Sequence, residues 1–411
     1  MRTASFLLAF LIAVPLAAQS PEEPRTPTWS FETEGPIFGS PTLHEDVAYV
    51  GSGDGHLYAV DILTGAELWR FRTEGAVDSS PAVSDGIVYV LSRDGRLYAV
   101  DAVMGTLRWS FQTDGEEIVD FWDFYLSDPL VHEGRVVFGS GDGSVYALDQ
   151  RTGDLEWRFT TGEVVHAAPI AADGLIYVGG FDGNLYALRV DTGEVVWEFS
   201  TEGAPGFPRG DIQRAAALRD GVLYVGSRDY HIYAIDAADG SLLWRQKEGD
   251  GWIIATPLLS DEGVFYGASD GQRFYALDRA TGAIDWSLPV FTRVFGSAVP
   301  VGDLIVFGGF NGKLFAVDPA SGLVRWHFQT PASRANFATV YEDGGTLNAE
   351  MQEMYRTPEG FRAAEERLLT LGSIPATPAV RGSMVYFATT EGILSALDTA
   401  PDATDPEREA R

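Results

Sequence analysis

The chain has 411 residues, 45% of them hydrophobic, and 59 Asp and Glu against 29 Lys and Arg give a formal net charge of −30. Scattered acidity of this size repels nucleic acid and anionic lipid, so both are set aside as partners. There is no Cys, which excludes disulfide staples and a haem-binding Cys-x-x-Cys-His motif.

Residues 1–18 read as a secretory signal peptide: Met1-Arg2, an apolar run over 6–16, then Ala17-Ala18, with cleavage expected after Ala18. The run is too short for a membrane anchor, and no other stretch predicts a span. Residues 19–28 form a linker. Trp29-Ser30-Phe31-Glu32-Thr33 then reads as a strand with no partner before it.

From there a unit of about 40 residues repeats. Its signature is Ala59-x-Asp61-x-x-Thr64-Gly65-x-x-x-Trp69, with further copies ending at Trp109, Trp157, Trp197, Trp244, Trp286 and Trp326. Successive Trp, counted from Trp29, lie 40, 40, 48, 40, 47, 42 and 40 residues apart. The second copy shows what one unit builds. Short apolar and alternating runs (Ser80-Pro81-Ala82-Val83, Ile87-Val88-Tyr89-Val90-Leu91, Arg96-Leu97-Tyr98-Ala99-Val100, Leu107-Arg108-Trp109-Ser110-Phe111) are separated by Asp85-Gly86, Asp94-Gly95 and a turn at Gly105. These are four short strands, a to d, joined by tight turns. The eighth copy supplies a, b and c and stops at Asp398 without its Trp. The lone strand 29–33 is the missing d. Pairing the two closes a ring and leaves no open sheet edge. The expected fold is all-β: an eight-bladed propeller over 29–399, followed by an acidic disordered tail, 400–411.

The d–a and b–c connections share one face of the ring, and the length differences fall there. Insertions occupy 116–126, 203–212 and 331–372. Phe121, Trp122, Phe124, Tyr125, Phe207, Arg209 and Trp252 lie in d–a connections of this face and are candidate contact residues for a ligand or partner. The third insertion reads as a helical hairpin. One helix is capped at Thr346 with Leu347, Met351, Met354 and Tyr355 on one side. The other starts at Thr357-Pro358 with Phe361, Ala364, Leu368 and Leu369 on one side. It predicts either a lid on the ring or a docking arm. The residue before each b–c turn also varies: Gly53, Arg93, Gly141, Phe181, Arg228, Ser269, Phe310 and Thr390. The Asp of the turns (Asp54, Asp94, Asp142, Asp182, Asp270) stands alone in each, as a turn former does and a calcium loop does not.

The Ala-x-Asp-x-x-Thr-Gly-x-x-x-Trp signature resembles the tryptophan-docking motif of pyrroloquinoline-quinone (PQQ) type propellers, over about 29–398. The resemblance implies that Trp29, Trp69, Trp109, Trp157, Trp197, Trp244, Trp286 and Trp326 pack between blades. Two branches share the motif. Quinoprotein alcohol and glucose dehydrogenases hold PQQ and Ca²⁺ in the central funnel, and the alcohol dehydrogenases carry a vicinal Cys pair that this chain lacks. The other branch is non-catalytic and is typified by the outer-membrane assembly lipoproteins of the BamB kind, whose lipid anchor needs a Cys after the signal. The funnel candidates Asp78, His166, Arg214 and Arg293 form no recognisable catalytic set. The expected protein is therefore a BamB-like, non-enzymatic, monomeric scaffold, periplasmic or secreted, with a protein partner in the cell envelope and no cofactor or metal. A PQQ- and Ca²⁺-dependent dehydrogenase of alcohols or sugars is the first alternative. A carbohydrate- or peptide-binding propeller is the second, with Trp122 and Trp252 as stacking platforms.

Overall fold

The computed structural model describes residues 25–400, apart from 206, 208, 248 and 250. The segment read as a signal peptide and residues 401–411 of the acidic tail lie outside the described residues. Eight four-stranded antiparallel sheets form the blades of a propeller. Blade 1 comprises Thr42–His44, Val47–Gly51, His56–Asp61 and Glu67–Arg72, from the channel outward. Strands b and c are almost wholly buried, whereas d alternates exposed and half-buried residues. That contrast follows from position. The middle strands are packed on both faces by neighbouring blades, and the outer strand meets solvent.

The ring closes as the orphan strand requires. Trp29–Glu32 pairs antiparallel with Ile393–Asp398, with Trp29 opposite Ala396 and Glu32 opposite Ile393. The eighth sheet is thus built from both ends of the propeller.

The c–d turns share a local chemistry. In blade 1, Asp61 Oδ1 accepts from Leu63 N (3.0 Å), Thr64 N (2.8 Å) and Thr64 Oγ1 (2.8 Å). The strand register slips between Ala59 and Val60, just before this turn. The slip aims the indole of Trp69 at the next blade. Trp69 Nε1 donates to Ala102 O at 3.0 Å. The same bond links Trp29 to Ile62, Trp157 to Val190, Trp197 to Ala237, Trp244 to Arg279 and Trp286 to Pro319, at 2.8–3.1 Å. The turn Gly must be Gly because the ring lies on it. A Cβ on Gly193 would sit 2.6 Å from Trp157 Cε3, and its φ is +69°.

The Asp of the b–c turns is structural. Asp94 Oδ2 accepts from Glu74 N (2.9 Å) and from the hydroxyl of Tyr98 (2.8 Å). Asp54, Asp142 and Asp182 make the same pair of bonds to the incoming connection and to the Tyr of strand c.

The third insertion holds three helices, not the expected two: α1 Pro331–Val340, α2 Ala349–Met354 and α3 Pro358–Leu369. Helix α3 starts as expected, with Thr357 as its cap and Pro358 in its first turn. Helix α2 is capped by Asn348, whose Oδ1 accepts from Met351 N at 2.9 Å, and Thr346 lies outside it. Helix α1 repeats the α3 start signal as Thr330-Pro331.

Gly193→Ala is expected to lower the thermal midpoint clearly. It combines a left-handed φ costing about 1 kcal/mol with a clash against a buried indole. Trp157→Phe, which keeps an aromatic ring and loses the bond to Val190 O, should cost less. Circular dichroism melts of both variants check this order.

Candidate functional site

Insertion 116–126 turns into the central channel instead of standing out from it. Its core is a self-capped turn. Asp120 Oδ1 accepts from Trp122 N (2.9 Å), and Asp123 Oδ2 accepts from Val119 N (3.0 Å). This arrangement points Trp122, Asp123 and Tyr125 inward, and all three are buried (7%, 3% and 0% exposed). They form a plug that other blades grip. Arg93 of blade 2 donates to Asp123 O at 2.8 Å. His166 of blade 4 bonds Asp123 Oδ1 at 2.8 Å through Nδ1 and Glu116 through Nε2. In blade 5, Gln213 donates to Trp122 O (3.0 Å) and Arg228 pairs with Asp120 (2.5 Å). Phe38 of blade 1 stacks on Phe124 with centroids 4.7 Å apart and planes 3° apart. The hydroxyl of Tyr125 reaches across to Pro375 O of blade 8 (2.9 Å). Phe295 and Phe310 of blade 7 pack edge-on to the Trp122 indole.

The four funnel candidates do not meet one another. Each holds a piece of this plug or of its cover. Asp78 pairs with Arg93 (2.9 Å), His166 holds Asp123 and Glu116, and the Arg214 guanidinium lies 4.4 Å over Tyr125. Arg293 lies 4.2 Å over Trp122 and binds both carboxylate oxygens of Glu365 on α3 (3.0 and 2.7 Å). Glu365 is fully buried. It fastens the helical insertion, and it is not among the residues singled out from the sequence. The signal that marks it is a Glu on the apolar side of α3, one residue after Ala364.

The helices cover the plug. Met351, Ala364, Leu368, Val340 and Tyr341 share one hydrophobic cluster with Trp122, Tyr125, Phe295 and Phe310. Of the two readings of the insertion, the apolar side packs as a lid. Trp122 and Tyr125 are therefore interior residues and not the surface contacts expected, while Phe121 and Phe124 are half-buried beside them. In the second insertion Phe207 meets Trp252 edge-on at 4.8 Å. Arg228 lies 4.7 Å over the Trp252 ring, and exposed Arg209 pairs with Glu163. One face of each indole, Trp122 and Trp252, is thus occupied by Arg293 and Arg228.

The variable residue before each b–c turn now has a physical reason. Arg93 and Arg228 grip the plug, and Phe310 packs on it. Ser269 Oγ accepts from Trp252 N (2.8 Å), and Thr390 donates to Leu369 O at the end of the lid (2.8 Å). These five positions vary with what they meet: the plug for Arg93, Arg228 and Phe310, a d–a connection for Ser269, and the end of the lid for Thr390.

The electrostatics are those of compensated burial. Burial alone would push the His166 imidazole down, but the carboxylates of Asp123 and Glu116 reverse this and raise it to about 9. Burial would raise Asp123, and the imidazolium overrides it and holds the carboxyl below its usual range. Burial raises Asp78 despite Arg93, and among the described residues Asp78 Oδ1 and Arg93 Nη1 are buried without a hydrogen-bond partner. A cavity of about 770 Å³ lies beside the plug, lined by Phe38, Asp78, Arg93, Glu116, Asp120 and Asp123 among others. A second, of about 350 Å³, lies under the lid by Thr292, Tyr341 and Tyr355. Among the described residues no three His, Asp or Glu are grouped to hold a metal ion. The carboxylates Asp120, Asp123, Glu116 and Glu365 are each committed to a cation, so these four do not form a ready set of free oxygens for a calcium ion.

A family model described as outer membrane protein assembly factor BamB matches residues 22–123, 122–216 and 208–404. The chain belongs to this family of PQQ-like propellers. No curated protein matches it in sequence. Among solved structures it is similar to BamB from Moraxella catarrhalis, at 17% identity and TM-score 0.70, covering 91% of this chain and 99% of that one. It is also similar to the quinohemoprotein alcohol dehydrogenase ADHIIG of Pseudomonas putida (18%, TM-score 0.65, 91% of this chain and 76% of that one). Sqt1 of Saccharomyces cerevisiae is a third (12%, TM-score 0.69, 91% and 99%). At these identities the structural likenesses establish the fold alone.

Two outcomes follow from the site. The folded state holds the His166 proton more tightly than the unfolded chain, whose imidazole titrates near 6.5. Stability from this triad is therefore full below about pH 6.5 and is lost as pH rises through about 9. The loss is on the order of 3 kcal/mol. Denaturant titrations at pH 6, 7.5 and 9 should show this decline, and His166→Gln should flatten it. Separately, Glu365→Gln leaves Arg293 with Asp270 as its carboxylate partner (3.2 Å). Breaking a buried pair in this way costs about 3–5 kcal/mol, so hydrogen exchange over α3 should accelerate while the blade strands keep their protection.

Proposed function

We propose that this protein is an exported, non-enzymatic propeller scaffold that binds another protein in the cell envelope and assists outer-membrane protein assembly. The observation that carries the reading is the plug. The funnel in which a quinoprotein would hold its cofactor is filled by Trp122, Tyr125, Phe295 and Phe310. Most charged groups around it are paired with one another, Asp123 and Glu116 with His166 and Asp120 with Arg228. That pairing supports a role in holding the fold over one in acting on a substrate. Support for the envelope setting comes from the family's description and from the leader-like sequence at 1–18. No helix among the described residues is long and apolar enough to cross a membrane. The sequence contains no Cys, the residue that carries the lipid of BamB-type lipoproteins.

Titration of the purified protein with PQQ and Ca²⁺ tests the reading. No saturable quench of Trp fluorescence and no dye-linked oxidation of alcohols or sugars is expected. Stoichiometric binding with turnover would make the protein a dehydrogenase and overturn it. Cell fractionation with N-terminal sequencing checks export, with Gln19 expected as the first residue.

A further inference from the structure

The face opposite the lid carries apolar surface that nothing among the described residues covers. The a–b and c–d turns meet there through backbone bonds, such as Ile62 N to Asp46 O (3.0 Å) and Ala102 N to Gly86 O (2.9 Å). Two residues after the position of the turn aspartate, blades 3 to 7 carry Arg151, Asp191, Ala238, Ala280 and Ala320. Blades 1 and 2 instead carry Leu63 and Val103, 75% and 80% exposed, and Met104 next to Val103 is 67% exposed. Leu68 and Leu107 are exposed on the outer strands of the same two blades, as Leu155, Val195, Leu242 and Ile284 are on those of other blades.

These residues gain the fold nothing. At the position of Met104, Thr64, Thr152 and Thr281 donate their hydroxyls to the turn Asp at 2.6–3.0 Å, and Ser321 does so at 2.9 Å. Met104 forgoes that hydroxyl bond, Asp101 accepting from Arg108 Nε (3.1 Å) instead, and the Met104 side chain stays mostly in water, where burial gains it little. Isolated exposed apolar side chains are ordinary. Two at the same turn position of adjacent blades, with Met104 beside one of them, against the pattern of the other repeats, are not.

The surrounding charge says what the patch faces. Glu45, Asp46 and Asp85 stand exposed on the a–b turns beside it. Arg381 pairs with Asp46 at 2.9 Å, and Asp85 accepts from Gln150 Nε2 at 3.1 Å. Neither Glu45 nor Asp85 is in an ion pair among the described residues, while the nearby Arg70 and Arg108 are paired with Glu67 and Asp101 of their own blades. We infer that the c–d turns of blades 1 and 2 form a docking surface for a protein segment that presents apolar side chains flanked by Lys or Arg. Apolar contacts on Leu63, Val103 and Met104 supply the affinity, and the carboxylates select and orient the basic flanks. The same carboxylates oppose an anionic membrane surface. The inference rests on the scaffold reading and gives it a place on the molecule.

The test uses the full chain in cells, with a photo-crosslinking benzoyl-phenylalanine in place of exposed Thr106 beside the patch, or of Ile118 on the lid face. A triple variant adds Leu63→Ala, Val103→Ala and Met104→Thr, which restore residues used by the other repeats and should keep or raise the thermal midpoint. Thr106 adducts to one peptide segment bearing apolar residues with Lys or Arg on its flanks are expected. A synthetic copy of that segment should bind the triple variant at least about tenfold more weakly than the parent, with the parent's affinity falling as salt rises. Adducts from Ile118 alone would leave the scaffold reading standing and overturn this surface. Adducts to lipid, to an acidic segment, or unchanged by the triple variant would also overturn it. No adduct from either position would remove both readings.

Discussion

The structure depends on one contact that recurs at the blade junctions: an indole lying on a glycine. The Trp that ends a repeat projects into the next blade, donates Nε1–H to a backbone carbonyl there, and rests on the Gly of that blade's turn. The contact satisfies a polar atom that burial would otherwise leave costly, and it buries a large ring at a site with no Cβ. It also couples strand register to ring geometry. The slip before each Asp-x-x-Thr-Gly turn sets the direction of the indole, so the same local chemistry fixes both the blade and its angle to the next. In a quasi-repetitive ring an error at one junction propagates to closure. Closure here uses strand 29–32 against the last blade, so the first Trp of the chain becomes the eighth wedge.

A closed ring of eight blades leaves a channel that must be filled by side chains or water. This chain fills its upper end with an insertion from one blade. The filling is amphipathic because the channel wall is: the residues before the b–c turns include two Arg, two Phe, a Ser and a Thr. Buried charges of this kind persist only when paired and hydrogen-bonded. Asp120 with Arg228, Asp123 and Glu116 with His166, and Glu365 with Arg293 meet that condition. The lid then removes the apolar upper side of the plug from water. Repeat scaffold, plug and lid form a sequence of dependencies, each needing the one before it in place.

That order also explains what was legible in the sequence. The blades, their number and the closing strand could be read because local rules govern them: two-residue periodicity, Asp-Gly turns, and a signature that recurs in seven copies. Helix α3 could be read from Thr357-Pro358 and its apolar spacing. The same signal stands at Thr330-Pro331 before α1, where the expected hairpin has no helix. The cap of α2 falls on Asn348, two residues beyond the expected Thr346, because either side chain can accept from a helix N-terminus and local sequence does not rank them. The fate of Trp122 and Tyr125 was not legible. An aromatic in a long connection reads equally as a surface contact or as core, and the difference lies in whether distant blades present partners. The ion pairs span 43 to 108 residues of sequence in the case of His166–Asp123 and Arg228–Asp120. No local pattern reports such pairs. What the sequence did carry was their shadow, the variation before the b–c turns inside an otherwise constant frame.

The two faces of the ring thus follow opposite rules. On the lid face, the buried departures from the repeat are matched by other departures: an inserted Asp meets an unusual Arg, and an inserted Trp meets an unusual Phe, while Ile118 and Val119 of the same insertion stay exposed. Such compensation marks residues that serve the fold. On the other face the turns of blades 3 to 7 are polar or small at the positions filled by Leu63 and Val103. No compensating partner within the described residues covers these two side chains or Met104. A departure that costs a turn its hydroxyl bond and meets nothing inside the molecule has its reason outside it. Function in such a propeller is therefore to be sought where the repeats differ without internal reply, and not where they differ most.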